Sequence, residues 1–571
     1  MFASGLKKMS QNASKEYVYG ENGNLSHKST GKSPSSSLLE LADALQRNSD
    51  EKTIKNKLDA CIEQKVPIEK IIITCFAARN CRGGKGERKV FYIALAHMYK
   101  KFPSLVLKLM SLIPKYGYWK DQLNMLEFIK GVRYRKTICK VFADQLRKDF
   151  MFVANADQKK TPYIKFLTKK FNVTPDQKIS LCSKWAPSEG KVFDKKYEIV
   201  PDIIKEVFNI KGINPSHKKM YRKMNVYIRK YLDIVEAKMS ADEFASIIPK
   251  NIPSMALQKY IKALSNRDKN GDIIYDIEDR EECRENILSS IANGGKINGK
   301  GLFPHELVKK CLDVELGEFK ETVLNAQFKD IINDVKKQIA ENKVESHIDF
   351  TKALSVCDVS GSMEGIPMYV AIALTLVVSQ LTHKDYRDLA ITFHENPTVH
   401  HFADCKTMYE KIKSLKDADW GGSTDFEKTM CLITNLIKEK KLPESEIPTT
   451  LFVFSDMMFN EAHRYDYGSA YQNILKMFEE LGNELYDHPI KPPTIVFWNL
   501  RANTVGYPAK ATDKGVVMMQ GFSPSMLRYI FSGQTVKSDG TKKTPAEVLE
   551  TIINDPMYDM VRNMVKEHVN L

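Results

Sequence analysis

Near Ser346 the spacing of the apolar residues changes, and a single core cannot satisfy both patterns. From Leu38 to about Val344 they recur at helical intervals, as in Leu38, Leu39, Leu41 and Leu45, or Val226, Ile228, Tyr231, Leu232 and Val235. Prolines 67, 103, 114, 187, 249, 253 and 304 cut this stretch into helix-length pieces, which predicts an all-α array of paired helices, a degenerate helical repeat without a strict period. Beyond Ser346, short apolar runs alternate with helical segments. Strands are predicted at Leu354 to Asp358, Leu389 to Phe393, Leu451 to Phe454, Thr494 to Trp498 and Val516 to Met519, with helices over 366–382, 406–415, 425–439, 469–481 and 524–532. That alternation predicts a doubly wound, Rossmann-like α/β domain. Residues 1–36 are rich in Ser, Asn, Lys and Gly and are expected to be a disordered tail. The chain therefore divides into 1–36, 37–348 and 349–571, as a length of 571 residues requires of more than one core.

Charge is divided the same way. Residues 1–350 hold 63 Lys and Arg against 43 Asp and Glu, whereas 351–571 hold 23 against 28. An excess confined to one region points to a polyanionic partner, nucleic acid foremost, rather than to lysines that only solvate helix faces. Ten cysteines lie scattered without a C-x-x-C pair or zinc spacing, as in an intracellular protein with reduced thiols. No apolar run nears the roughly eighteen residues of a membrane span, and Met-Phe-Ala-Ser-Gly-Leu-Lys-Lys lacks a signal-peptide core. The expectation is a soluble protein of the cytoplasm or nucleus, with no membrane partner.

The second region carries a pattern with chemical content. The apolar run from Ala353 ends in Asp358-Val-Ser360-Gly-Ser362-Met, and a second, Thr450-Leu-Phe-Val-Phe-Ser455, ends in Asp456. Two parallel strands would bring both carboxylates to the carboxyl edge of one sheet, where open α/β sheets bind ligands. Extended backbone would aim Asp358, Ser360 and Ser362 to one side. Oxygen ligands of this kind suit Mg²⁺ or another hard divalent cation, which needs few carboxylates and keeps an open position. Between the runs, Gly421-Gly422-Ser423-Thr424-Asp425 could add a hydroxyl, from Thr424 or its neighbour Ser423. No catalytic triad or H-E-x-x-H site is visible, so a non-catalytic protein is expected.

In the first region, Arg79, Arg82, Lys85, Arg88 and Lys89 surround Gly83, Gly84 and Gly86. They read either as phosphate contacts or as a glycine-capped turn whose arginines pair locally with Glu87. Lys115 and Lys120 are interleaved with Tyr116, Tyr118 and Trp119, which suits base stacking or, alternatively, a buried helix entry. Lys218, Lys219 and Arg222 invite the same two readings. Gly294 to Lys300 fits G-x-x-x-x-G-K, but Gly301 replaces the metal-binding Ser/Thr and no strand leads in, so a nucleotide loop is not expected.

The series D-x-S-x-S, then S-T-D, then a strand ending in Asp resembles the metal-ion-dependent adhesion site of the von Willebrand factor A family. That resemblance implies Asp358, Ser360, Ser362 and Thr424 around the ion, with Asp456 direct or through water. A basic helical region before such a domain resembles the Ro autoantigen (TROVE) architecture, a helical-repeat ring that holds structured small RNAs. It resembles more closely an uncharacterised family related to Ro, found in plants, fungi and large DNA viruses. The shared hallmarks stand here as R-x-x-R-G-G-K-G-E-R at Arg79 to Arg88, P-x-Y-G-Y-W-x-D at Pro114 to Asp121, K-W-x-P-S-E at Lys184 to Glu189 and D-V-S-G-S-M at Asp358 to Met363. The resemblance implies a non-catalytic RNA-binding protein of Ro type, with a structured or small non-coding RNA on the basic helices; the alternative is a protein-interaction scaffold without RNA, in which a partner's acidic residue completes the metal shell.

Overall fold

A computed structural model describes residues 17–19, 25–268, 270–313, 317–343, 351–393, 397–418, 426–459, 470–502 and 504–569. From Pro34 to Glu341 the described elements are helical, from single turns such as Cys182–Trp185 to the 25-residue Val132–Ala156. Tyr134, Ile138, Phe142, Leu146, Phe150 and Val153 repeat at three- and four-residue intervals along that long helix and are all buried. Ile199–Phe208 is the helix most extensively packed on it.

Two short strands precede the helices, β1 (Tyr17–Tyr19) and β2 (Leu25–His27), paired antiparallel. The remaining strands are β3 (Ala353–Asp358), β4 (Leu389–Phe393), β5 (Thr398–His401), β6 (Thr450–Ser455), β7 (Thr494–Asn499) and β8 (Val516–Gln520). They form one sheet in the order β5-β4-β3-β6-β7-β8, all parallel except the edge strand β5. Side chains alternate between two apolar faces. Val356, Leu451, Val453, Ile495, Phe497 and Val516 join the core of the helices over 426–440 and 470–486 and of the amino-terminal helices. Cys357, Phe452, Phe454, Val496, Trp498 and Val517 join that of Ile366–Leu381. Burial on both faces explains why these strands read as continuous apolar runs.

Two expectations need correction. The stretch 1–36 is not a free tail where it is described: His27 exchanges backbone hydrogen bonds with Tyr507 at 2.9 and 2.8 Å, and Ala511 N donates to Thr30 O at 2.9 Å. Polar sequence cannot build its own core, but its backbone can pair with a neighbour's. The boundary at 348 marks a change of pattern, not a division of cores. Helices Pro304–Asp313 and Glu318–Glu341 supply Leu307, Val308, Leu324, Phe328 and Ile332 to the core under Ile366–Leu381. At the other end, Pro545–Ile553 and Asp559–Val569 pack on Ile68–Arg79. The mixed domain thus holds the helical region at both its beginning and its end.

The glycine-rich basic motif lies in this seam, and Arg79 and Lys85 are the turn's internal cations rather than surface groups. Arg79 is fully buried, with Nε and Nη2 at 2.9 and 2.7 Å from Asp121 Oδ2. Lys85 Nζ donates to Ala42 O and, at 3.1 Å, to Gln520 Oε1 at the end of β8. Glu87 pairs with Arg47 at 3.2 Å. Burial pushes the Lys85 ammonium down to about 8 despite the attraction of Asp43. Two glycines are required by contact alone. A Cβ at Gly84 would stand 2.1 Å from Ala77 O, and one at Gly117 would stand 2.1 Å from Asp121 Oδ2. Removing one partner of a buried pair leaves the other uncompensated, so Asp121→Ala is expected to lower the unfolding free energy by about 3–5 kcal/mol in a denaturant titration.

Candidate metal centre

Strands β3 and β6 are neighbours in register, Cys357 opposite Phe454, so Asp358 and the residues after Phe454 emerge at one edge. On one side of this pair the chain continues through β4 and β5, and on the other through β7 and β8. The order therefore reverses between β3 and β6, the position at which a doubly wound sheet opens a crevice at its carboxyl end.

Both carboxylates there are fully buried. Asp358 Oδ1 accepts from Ser360 N at 3.0 Å, and Oδ2 accepts from Ser455 Oγ at 2.5 Å. Ser455 Oγ in turn accepts from Met457 N at 3.0 Å. Met457 has φ 63°, a left-handed conformation costing an ordinary side chain about 1–2 kcal/mol, which the turn over Ser455 sustains. Asp456 Oδ1 accepts from Met458 N at 3.1 Å. Its Oδ2 accepts no hydrogen bond among the described residues, and Arg501 Nη1 stands 3.6 Å away. Burial first, and the charge of Asp456 second, push the Asp358 carboxyl up to about 7.

The serines arrive by a different route from the one expected. The chain does not stay extended after Asp358: Gly361–Met363 forms a 3₁₀ turn, which folds Ser362 back. The hydroxyls of Ser360, buried, and Ser362, exposed, still meet at 3.1 Å. Thr424 and its neighbour Ser423 lie outside the described residues. Ser455 was not anticipated as a site residue, although its place one residue before Asp456 at a strand end was the available signal.

This donor set fits a hard divalent cation. All its atoms are oxygens, one carboxylate oxygen lacks a donor, and two buried acids face one another at a cost that a cation would remove. Asp358, Ser360 and Ser362 would hold the ion, with Asp456 as a further oxygen. Among the described residues no group of three or more His, Cys, Asp or Glu forms a metal cluster, so a cation here would depend on the hydroxyls as well.

The structure separates the basic candidates of the helical region. Arg79 and Lys85 lie buried in the seam. Lys218 is paired with Glu189 at 2.5 Å. Arg82 is exposed, although one guanidinium nitrogen donates to Lys115 O at 2.6 Å. Arg88, Lys89, Lys115, Lys120, Lys219 and Arg222 are exposed. The Arg88 guanidinium rests 5.5 Å from the centre of the Tyr118 ring, and the Lys120 ammonium 5.8 Å from that of Trp185. Trp119 is buried in the helical core, so of its two readings the packing one holds.

Comparison with known proteins agrees with the change of pattern along the chain. A family described as a domain of unknown function (DUF2828) matches residues 20–134 and 133–340, and a second (DUF7788) matches 352–566. An uncharacterized protein of Acanthamoeba polyphaga mimivirus is 32% identical over 501 residues, which cover 84% of this chain and 79% of that protein.

The raised Asp358 pKa has a measurable consequence. A carboxyl that titrates near 7 in the folded state and near 3.8 in the unfolded chain stabilises the fold fully below pH 3.8 and loses that contribution as pH rises through 7. In EDTA, wild-type protein should therefore lose stability relative to Asp358→Asn between pH 4 and 7, by an amount on the order of 4 kcal/mol. Denaturant titrations of both proteins across this range would measure it.

Proposed function

The chain belongs to the DUF2828 family, and from that premise we propose that it is a non-catalytic binding protein whose mixed domain is of the von Willebrand factor A type. The carrying observation is the pair of buried acids, Asp358 and Asp456, at the reversal point of the sheet, with two serine hydroxyls beside them. A divalent cation bound there would supply a positive centre with an open position for an acidic side chain of a protein partner. The protein's own contribution is to fix the oxygens. Ser360 N and Ser455 Oγ orient both oxygens of Asp358, and Met458 N orients Asp456. Mg²⁺ should raise the thermal unfolding midpoint of the wild-type protein and leave that of Asp358→Ala unchanged. Equal stabilisation of both would remove the site, and a phosphodiesterase activity lost in Asp358→Ala would overturn the non-catalytic reading.

A second reading, RNA binding of the Ro (TROVE) type, is favoured by a separate observation. The basic excess lies in residues 1–350, and Arg82, Arg88, Lys89, Lys115, Lys120, Lys219 and Arg222 remain on the surface. A mixed domain that meets both ends of a helical array also supports a Ro-like arrangement. Affinity for a pool of structured RNAs should fall by roughly 10³-fold or more between 50 and 200 mM salt if six or more phosphates are neutralised. A flat salt dependence, or no binding at low salt, would set this reading aside.

A further inference from the structure

We propose that a second ligand site, for a phosphate group, lies in the cleft between the helical region and the mixed domain. The cleft is walled by Arg79, Arg88 and Tyr118, by the Gly299-Lys300-Gly301 loop, and by Ser523 and Ser525 after β8. It shares no residue with the acidic pair and does not depend on a cation there.

Arg79 is the cleft residue with an unmet bonding requirement. Its Nε and Nη2 both face Asp121 Oδ2, which leaves Nη1 on the opposite edge of the guanidinium. That nitrogen is buried and finds no acceptor among the described residues. Arg79 lines the cleft and Asp121 does not. A buried charged donor without an acceptor is costly, and a ligand oxygen is the acceptor this position calls for.

Two further features define the ligand. Arg88 lies against the same ring as Arg79, their guanidinium carbons 5.5 and 5.2 Å from the centre of Tyr118. Two guanidinium groups against one ring, the first of them balanced by Asp121, make this wall of the cleft attractive to an anion. Of the acids nearby, Asp334, which lines the cleft, is paired with Lys300, and Glu306 lies outside the cleft lining in the field of Arg47, Arg88 and Lys310. From the mixed domain the half-buried Ser525 brings a hydroxyl to the cleft. Guanidinium groups on one wall and a hydroxyl on the other suit a tetrahedral anion with three free oxygens. A carboxylate would be satisfied by a single guanidinium fork. The engagement of Lys300 with Asp334 also distinguishes this arrangement from a nucleotide loop, in which the lysine reaches the phosphates itself.

The phosphate could be carried by a free nucleotide or by the end of an RNA strand. The full-length protein, in EDTA at constant ionic strength, would be titrated with inorganic phosphate by calorimetry. Saturable binding is expected in the wild-type protein, at least tenfold weaker in Arg88→Gln and weaker in Ser525→Ala. Arg88 is exposed, so its replacement leaves the buried pair intact. Absence of binding, or equal binding by Arg88→Gln, overturns the proposal. Competition then identifies the carrier. Displacement of phosphate by adenosine monophosphate assigns a free nucleotide, and displacement by 5′-phosphorylated but not 5′-hydroxyl RNA assigns an RNA end. Failure of both to compete overturns the proposal as well.

Discussion

Charge buried in the seam between the helical region and the sheet holds the two parts of this molecule in one arrangement. Arg79 with Asp121, Lys85 with Ala42 O and Gln520, and Arg528 with Asp555 and Gln338 each sit where elements distant in sequence converge. Such groups add little net stability compared with apolar side chains, but every alternative packing would strand a charge in a dry interior. They therefore select an arrangement more than they stabilise it. The glycines serve the same end. At Gly83 a Cβ would meet Arg528 Nη1 at 2.3 Å, so the turn's bareness is what lets a cation from the mixed domain approach it.

This seam explains why the motif richest in arginine and glycine reads so readily as a phosphate loop. Both uses need small residues beside cations. The difference lies in the counter-charges, and the one that holds Arg79 is Asp121, forty-two residues away. Only Glu87 was close enough in the chain to suggest an internal pairing, and its partner proved to be Arg47 rather than a neighbouring arginine. Position in the sequence could not rank the two readings.

Elements with a strong period were legible, and those without one were not. Strands buried on both faces stood out as apolar runs, and β3, β4, β6, β7 and β8 fall within a residue or so of where they were expected. The edge strand β5, Thr-Val-His-His, is exposed along most of its length and shows no such run. Pro545–Ile553 did carry a signal, since Thr544 and Glu547 form a capping box around a proline at the first turn. At the candidate site, Asp358 and Asp456 were visible as strand ends. Ser455 was hidden in the run, because its role depends on the neighbouring strand.

The carboxyl edge of the sheet is used unequally. Gln46 reaches Asn499 O at the end of β7 at 3.3 Å, and Lys85 reaches Gln520 at the end of β8. The helical region thus covers the outer strands of this half of the sheet with Gln46, Lys85 and the buried Asp43, whose carboxyl faces Lys85, Asn499 and Gln520. The ends of β3 and β6 carry Asp358 and Asp456 instead, held by their own loops through Ser360, Ser455 and Met458. A fold needing only stability would put apolar or neutral side chains there, since paired buried acids weaken it. Their place at the reversal of strand order is the physical observation on which the proposed site rests.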